Sequence, residues 1–206
     1  MQLNETTRGF FGKMASVERG QLAEDMKSLV SAAPVRAAIA RLTLQAPYNA
    51  QMRTTCVATR LEGGHADNAL PQLARAMVNC RILPGQAVPE VQQQLEQVFA
   101  NPRLAVTAIA RDTGSEASAL NPELVSAIEK LSPKSWPGIP AVPTMSTGAT
   151  DGRFLRNAGI PTYGHSGLAA DIFDVRAHGK DERVSVKALF EGEEYLYQLV
   201  QRLSGG

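Results

Sequence analysis

"STGATDGRFLRNAGIPTYGHSG" (Ser146 to Gly167) and "RAHGKDERVSV" (Arg176 to Val186) hold two of the three histidines, an Asp-Gly-Arg turn and several glycines. Turns that present Asp, Arg and His can wall a polar site. His178, in "AHGKDE", is a candidate metal ligand, because a neutral imidazole binds metals well and Asp181 or Glu182 could orient its other nitrogen. Alone, such a loop histidine is more commonly a surface or capping residue. A zinc site needs three or four donors in fixed geometry, and no His-x-Asp pair, no HExxH and no Glu-Glu beside a histidine is expected here to supply them. Glu193-Glu194 lies inside an amphipathic helical pattern and is expected on a solvated face. His65 ("GGHADN") and His165 ("YGHSG") stand in turns, where polar residues serve the backbone.

Arginines offer different chemistry. Arg153 follows Asp151-Gly152 at an expected helix start, where guanidinium and free N–H groups together could fork a carboxylate. The competing expectation is an Asp151–Arg153 contact that only caps the turn. Arg81 falls on the polar face of a predicted strand, downstream of Asn68. A Ser146, His165, Asp151 triad can be drawn, but Ser146 lacks the G-x-S-x-G elbow that presents such a nucleophile.

These residues must be positioned by the elements around them. The first fifty residues carry apolar positions at helical spacing, with Pro34 as a break or helix start and Pro47 as a stop. "RTTCVATRLEGG" and "LARAMVNCRILPG" alternate as strands. The second puts Ala74, Ala76, Val78, Cys80 and Ile82 on a core face, with Arg75, Met77, Asn79 and Arg81 opposite. "VPEVQQQLEQVFA" is a helix opened by Pro89, and "RLAVTAIAR" is a third strand. Strand, strand, helix and strand on one sheet give an α+β layer. The small polar residues of "RDTGSEASALNP" mark a boundary near Gly114, dividing the chain into 1–113 and 114–206. Beyond it, Asn121 and Pro122 open a helix, "DGRFLRNAG" is a short helix, "IPTYG" a short strand, and "SVKALFEGEEYLYQLVQRL" a final helix despite Gly192.

At 206 residues the chain can bury a sizeable core in two pieces. Its 21 basic and 20 acidic residues leave a formal charge of +1, and no basic stripe tracks a phosphate backbone, so nucleic acid is not an expected partner. No run approaches the roughly 18 apolar residues needed to span a bilayer, and no membrane association is expected. Cys56 and Cys80 are too few for a stapled scaffold and are expected as two buried apolar thiols. The compartment stays open.

Taken together, "GGHADNALPQLARAMVNCRILPG", "STGATDGRFLRNAGIPTYG" and "RAHGKDERVSV" resemble, in order, the dinuclear zinc amidohydrolase and exopeptidase family. That family includes glutamate carboxypeptidase, acetylornithine deacetylase, succinyl-diaminopimelate desuccinylase and aminoacylase. The resemblance implies an α/β fold: a ferredoxin-like-type lid layer that forms the homodimer (1–113, incomplete at its start), then the C-terminal portion of the catalytic domain (114–206). By the match, His178 is the last metal ligand, Asn68 is catalytic, reaching the scissile carbonyl oxygen, and Arg81 and Arg153 grip the substrate carboxylate. The implied parent is a zinc hydrolase, with two ions, that cleaves an amide bond beside a free carboxylate in a small peptide or N-acyl amino acid. The family's His-x-Asp pair, bridging Asp, Glu-Glu pair and further acidic ligand precede the lid, and nothing here corresponds to them. Its lid histidine in a Gly-His-Ser context is also missing. The expectation is therefore a fragment, inactive by itself and without tightly bound zinc, whose remaining half lies upstream of Met1. The alternative is a non-catalytic dimerisation or binding module.

Overall fold

The computed structural model describes residues 1–109 and 114–205, which form two compact units. One contains Leu3–Gln51, Ser118–Ser146 and 161–205; the other contains Met1–Gln2, Met52–Ala117 (apart from 110–113) and Thr147–Ile160. The switch at Ala117 to Ser118 lies near the compositional boundary at Gly114, while residues 3–51 group with the C-terminal segments.

In the helical unit, α1 (Glu5–Val17) starts at a reciprocal cap. The Asn4 side chain accepts the Thr7 N–H at 2.9 Å, and Thr7 Oγ1 accepts the Asn4 N–H at 3.0 Å. Phe11, with none of its surface exposed, packs with Phe10 and Tyr48, the latter from α4 (Ala46–Met52). Pro47 falls in the first turn of α4 and so opens a helix instead of stopping one, since the first helical N–H groups have no partner to lose. Between them, α2 (Gly20–Val30) and α3 (Arg36–Thr43) are joined by a fork: Arg41 donates to both Asp25 carboxylate oxygens at 2.8 and 2.6 Å. Gln21 adds a third donor at 2.9 Å. The Asp25 side chain is only 4% exposed, and Arg41 holds its carboxyl below the usual range.

A second apolar cluster joins two further helices. In α6 (Pro122–Ser135), Asn121 accepts the Glu123 and Leu124 N–H groups at 2.9 and 3.1 Å, as its cap position predicts. Ala127 and Leu131 of α6 meet Tyr195 and Leu199 of α8 (Val186–Leu203), with Ile128 and Trp136 packed around them. Gly192 has a packing reason to be in this helix. A Cβ there would lie 3.0 Å from Leu168 Cδ2 and 3.1 Å from the Gly167 carbonyl oxygen.

In the other unit, β1 (Thr55–Gly63) pairs antiparallel with β2 (Ala74–Arg81), from Thr55 opposite Arg81 to Gly63 opposite Ala74, with an irregularity between Ala58 and Arg60. Directly opposed residues share a face. Cys56, Ala58, Leu61, Ala74, Ala76, Val78 and Cys80 therefore line one side, and Val57, Arg60, Glu62, Arg75, Met77, Asn79 and Arg81 the other. The alternation is as predicted, but the burial is not: β1 is exposed along nearly its whole length, with Leu61 76% exposed. Cys56 and Cys80 are not separate buried thiols. They stand opposite each other and form a disulfide, Cys56 being exposed.

Helix α5 (Val88–Phe99) follows and ends with Ala100 in the left-handed region. The predicted third strand is absent over residues 103–109; its last two residues, Ala110 and Arg111, lie outside the described residues. Among the described residues β1 and β2 pair only with each other, so this apolar stretch gains no ladder partner there; the Gln92 side chain holds its Val106 carbonyl at 3.0 Å. "IPTYG" is likewise extended without forming a strand. Its Thr162 exchanges hydrogen bonds with the Ser118 hydroxyl, N–H donated at 2.9 Å and carbonyl accepting at 3.0 Å. The class remains a mixture of helices with a small antiparallel sheet, and of the predicted strand, strand, helix and strand layer the hairpin and α5 form.

Candidate functional site

Each candidate side chain has an identifiable support. Arg153 is the second residue of α7 (Gly152–Asn157), a helix of six residues whose Asp151 N-cap makes no side-chain cap bond. The turn is closed by the backbone instead, with the Phe154 N–H donating to the Asp151 carbonyl at 3.0 Å. Arg153 is half-buried, its guanidinium carbon 4.5 Å from the centre of the Phe154 ring, a cation–π distance. Nearby, Arg156 Nε donates to the Ser115 hydroxyl at 3.0 Å and ties α7 to that stretch of chain. A planar cation laid on an aromatic face holds its edge N–H groups in a fixed plane, the geometry a carboxylate accepts.

Asn68 and Arg81 belong to the same hairpin but to opposite ends of it. Asn68 is exposed in the 64–73 connection, whereas Arg81 stands opposite Thr55 where the ladder opens. At about 3.4 Å per residue, the ladder from Ala74 to Arg81 is roughly 24 Å long. Arg81 projects on the charged face, where Arg60 and Glu62 pair at 2.9 Å.

His178 is exposed and has φ of +64°, uncommon for a residue with a Cβ. The turn around it is set by Arg176, whose carbonyl accepts the Gly179 N–H at 2.9 Å. The Arg176 guanidinium pairs with Asp174 at 2.7 Å and with Asp181. Asp181, one carboxylate predicted to orient His178, is thus engaged by Arg176. Among the described residues no group of three or more His, Cys, Asp or Glu side chains could hold a metal ion. His65 and Asp67 do have His-x-Asp spacing, and both are exposed in the hairpin connection. The Glu193-Glu194 pair is on the exposed side of α8, Glu194 accepting from Gln198 at 2.6 Å.

Two features were not found from sequence. The first is the Cys56–Cys80 link, which strand parity could have indicated once the two strands were aligned as a hairpin. The second is a polar chain within the helical unit. His165 Nε2 is 3.0 Å from Tyr195 Oη, which is 3.4 Å from the Ser132 hydroxyl, which donates to the Ile128 carbonyl at 2.8 Å. Desolvation on the Tyr195 side pushes the His165 imidazole below its ordinary pKa. His165 is therefore a partner of the buried Tyr195.

With this geometry in place, comparisons with known proteins agree on one family. The peptidase dimerisation domain of M20 enzymes matches residues 19–107. Human N-fatty-acyl-amino acid synthase/hydrolase PM20D1 is 31% identical over 160 residues, covering 74% of this chain and 31% of that protein. A probable carboxypeptidase S-like 2 from Dictyostelium discoideum is 22% identical over 162 residues, covering 78% of this chain and 31% of that protein. The crystal structure of an M20 family metallo-carboxypeptidase, Sso-CP2 from Sulfolobus solfataricus, superposes with a TM-score of 0.57 at 16% identity, over 98% of this chain and 45% of that one. The chain thus spans about a third of the length of the curated relatives it matches.

Proposed function

Because this chain is similar to M20 peptidases over part of their length, we propose that it serves a hydrolase cleaving an amide bond beside a free carboxylate. The substrate class is an N-acyl amino acid or a small peptide. Arg153, stacked on Phe154, and Arg81, on the charged face of the hairpin, would hold the carboxylate by paired N–H donors. The Asn68 amide would donate to the oxygen that becomes negative as the carbonyl is attacked. Since Asn68 and Arg81 stand at opposite ends of a ladder roughly 24 Å long, one small substrate would meet both only if two copies of the hairpin supplied them in the homodimer. The observation that carries this reading is the 31% identity to a protein named for N-acyl amino acid chemistry over 74% of the chain.

The family relation brings with it a metal centre, zinc by resemblance, to which His178 would contribute one nitrogen. The residues described here do not make that centre by themselves. A single exposed imidazole does not hold the ion, so the remaining donors would come from additional polypeptide. In this proposal residues 1–113 act as the lid, 114–206 complete the catalytic domain, and the assembly is a homodimer formed through the matched dimerisation segment.

Zinc content and hydrolysis of a long-chain N-acyl amino acid test the reading. This chain alone should hold well under one zinc per chain and release no amino acid. Joined to a segment supplying the other donors it should turn over, and Arg153→Ala should then lower kcat/KM by about 100-fold through the lost carboxylate contact. Stoichiometric zinc in the isolated chain, abolished by His178→Ala, would show the donor set to be complete here. A second reading, a non-catalytic dimerisation module, draws on the matched domain; it would be favoured if the joined protein dimerised without any turnover.

A further inference from the structure

The hairpin carries a covalent link beside a residue assigned to substrate binding, and little else holds it in shape. Between residues 53 and 109 the buried apolar side chains are Leu83 and Val91, and both faces of β1 and β2 are largely open to solvent. Two strands without a packed face are marginal in water. Cys56 and Cys80 join them one pair before the ladder's open end, next to the Thr55–Arg81 pair. Just beyond, Thr54 Oγ1 accepts the Leu83 N–H at 3.0 Å and is hydrogen-bonded to the Gln86 side chain. The backbone of Arg81 is therefore held between a cystine on one side and a hydroxyl tie on the other. The hydroxyl tie is non-covalent. The cystine is solvent-accessible through Cys56, so an external thiolate can reach a sulfur.

We propose that the Cys56–Cys80 bond is a redox-controlled clamp on Arg81: oxidised, it fixes the arginine's place at the hairpin mouth; reduced, it releases that end of the ladder. The partner is a dithiol reductant. One of its thiolates attacks a cystine sulfur and forms a mixed disulfide; its second thiolate displaces the remaining cysteine. Two electrons and two protons pass to Cys56 and Cys80, which end as thiols, and the reductant ends as a cyclic disulfide. The clamp is read from the hairpin alone; only its consequence for substrate rests on the function proposed above.

The test uses the whole chain, purified without reductant. Alkylation after denaturation should label neither cysteine before dithiothreitol treatment and both after it. Backbone amide exchange at residues 79–83 should quicken by about 100-fold on reduction, while amides of α6 and α8 stay as they were. Cys56→Ser should show the fast exchange with or without reductant. Labelling of both cysteines in the unreduced protein, or exchange at 79–83 changing by less than about twofold, would overturn the clamp. Affinity of the oxidised chain for an N-acyl amino acid distinguishes the two ideas. If Arg81→Ala leaves that affinity unchanged while exchange still responds to reduction, the substrate role of Arg81 fails and the clamp stands.

Discussion

The hairpin and the helical unit are both made from stretches rich in apolar residues, yet one buries its side chains and the other does not. Tyr195 is 1% exposed and Phe11 fully buried in the helical unit, whereas Leu61 and Leu70 of the hairpin region are 76% and 90% exposed. The difference lies in how each element satisfies its backbone. A helix closes its own hydrogen bonds and needs only a facing stripe to bury, which α1, α4, α6 and α8 find within this chain. A strand must pair its backbone with a neighbouring strand and needs a layer against its face. With a single partner each among the described residues, β1 and β2 rely on a cross-strand covalent bond instead.

That contrast can be broken at its strongest point. Tyr195→Ala should remove about 3–5 kcal/mol from urea unfolding of the helical unit, because it leaves a cavity between α6 and α8 and strips His165 and Ser132 of their shared hydroxyl. Exchange in the hairpin should barely respond, and a uniform response would show that the two units unfold as one.

Removing the cystine by Cys56→Ser should cost the hairpin about 3 kcal/mol, as expected for cross-linking residues 24 apart in the unfolded chain. Protection of hairpin amides reads this effect, and equal protection with and without the bond would contradict it. Asp25→Asn comes next, at about 1–2 kcal/mol, since one partner of a charge-assisted fork is lost while Arg41 can still turn to water. Its pH signature is specific. The folded-state pKa of Asp25 is depressed, so the stabilisation is present above the unfolded carboxylate's value near 4 and disappears as pH falls through the folded one. In the Asp25→Asn variant the corresponding acid-side slope should flatten, which unfolding at about pH 5 and about pH 3 would measure.

The smallest effect sharpens the comparison from the other side. Leu61→Lys should change stability by no more than about 0.5 kcal/mol, because the side chain already meets water. Leu131→Lys in the α6–α8 cluster should prevent folding of the helical unit, which circular dichroism would detect. Comparable losses at both positions would mean that the hairpin face is covered in solution.

Much of the local structure was legible because its causes are local. Asn121 before Pro122 announces a capped helix, and the alternation from Ala74 to Arg81 announces a strand with Arg81 on its charged face. The Arg103 stretch misled for the same reason: its alternation is real, but a strand exists only where another backbone accepts its hydrogen bonds. Pro47 misled because proline is both a helix stop and a good first-turn residue, and only the following Tyr48 packing against Phe11 shows which applies. For the candidate site, the order of the "NALP", "TDGRF" and "AHGKDE" stretches carried the family resemblance, while the stacking of Arg153 on Phe154 and the capture of Asp181 by Arg176 required coordinates.

By itself the sequence determined the helical periodicity, the caps, the strand alternation and the kinship with M20 peptidases, since all of these are written in residues a few positions apart or in motif order. Only the tertiary structure decided that Cys56 meets Cys80, that Asp25 is forked by Arg41, and that His165 serves Tyr195. Those partners are 24, 16 and 30 residues apart. Over such separations the chain's own stiffness favours no particular encounter, and the pairing is chosen by which surfaces the packed elements bring together.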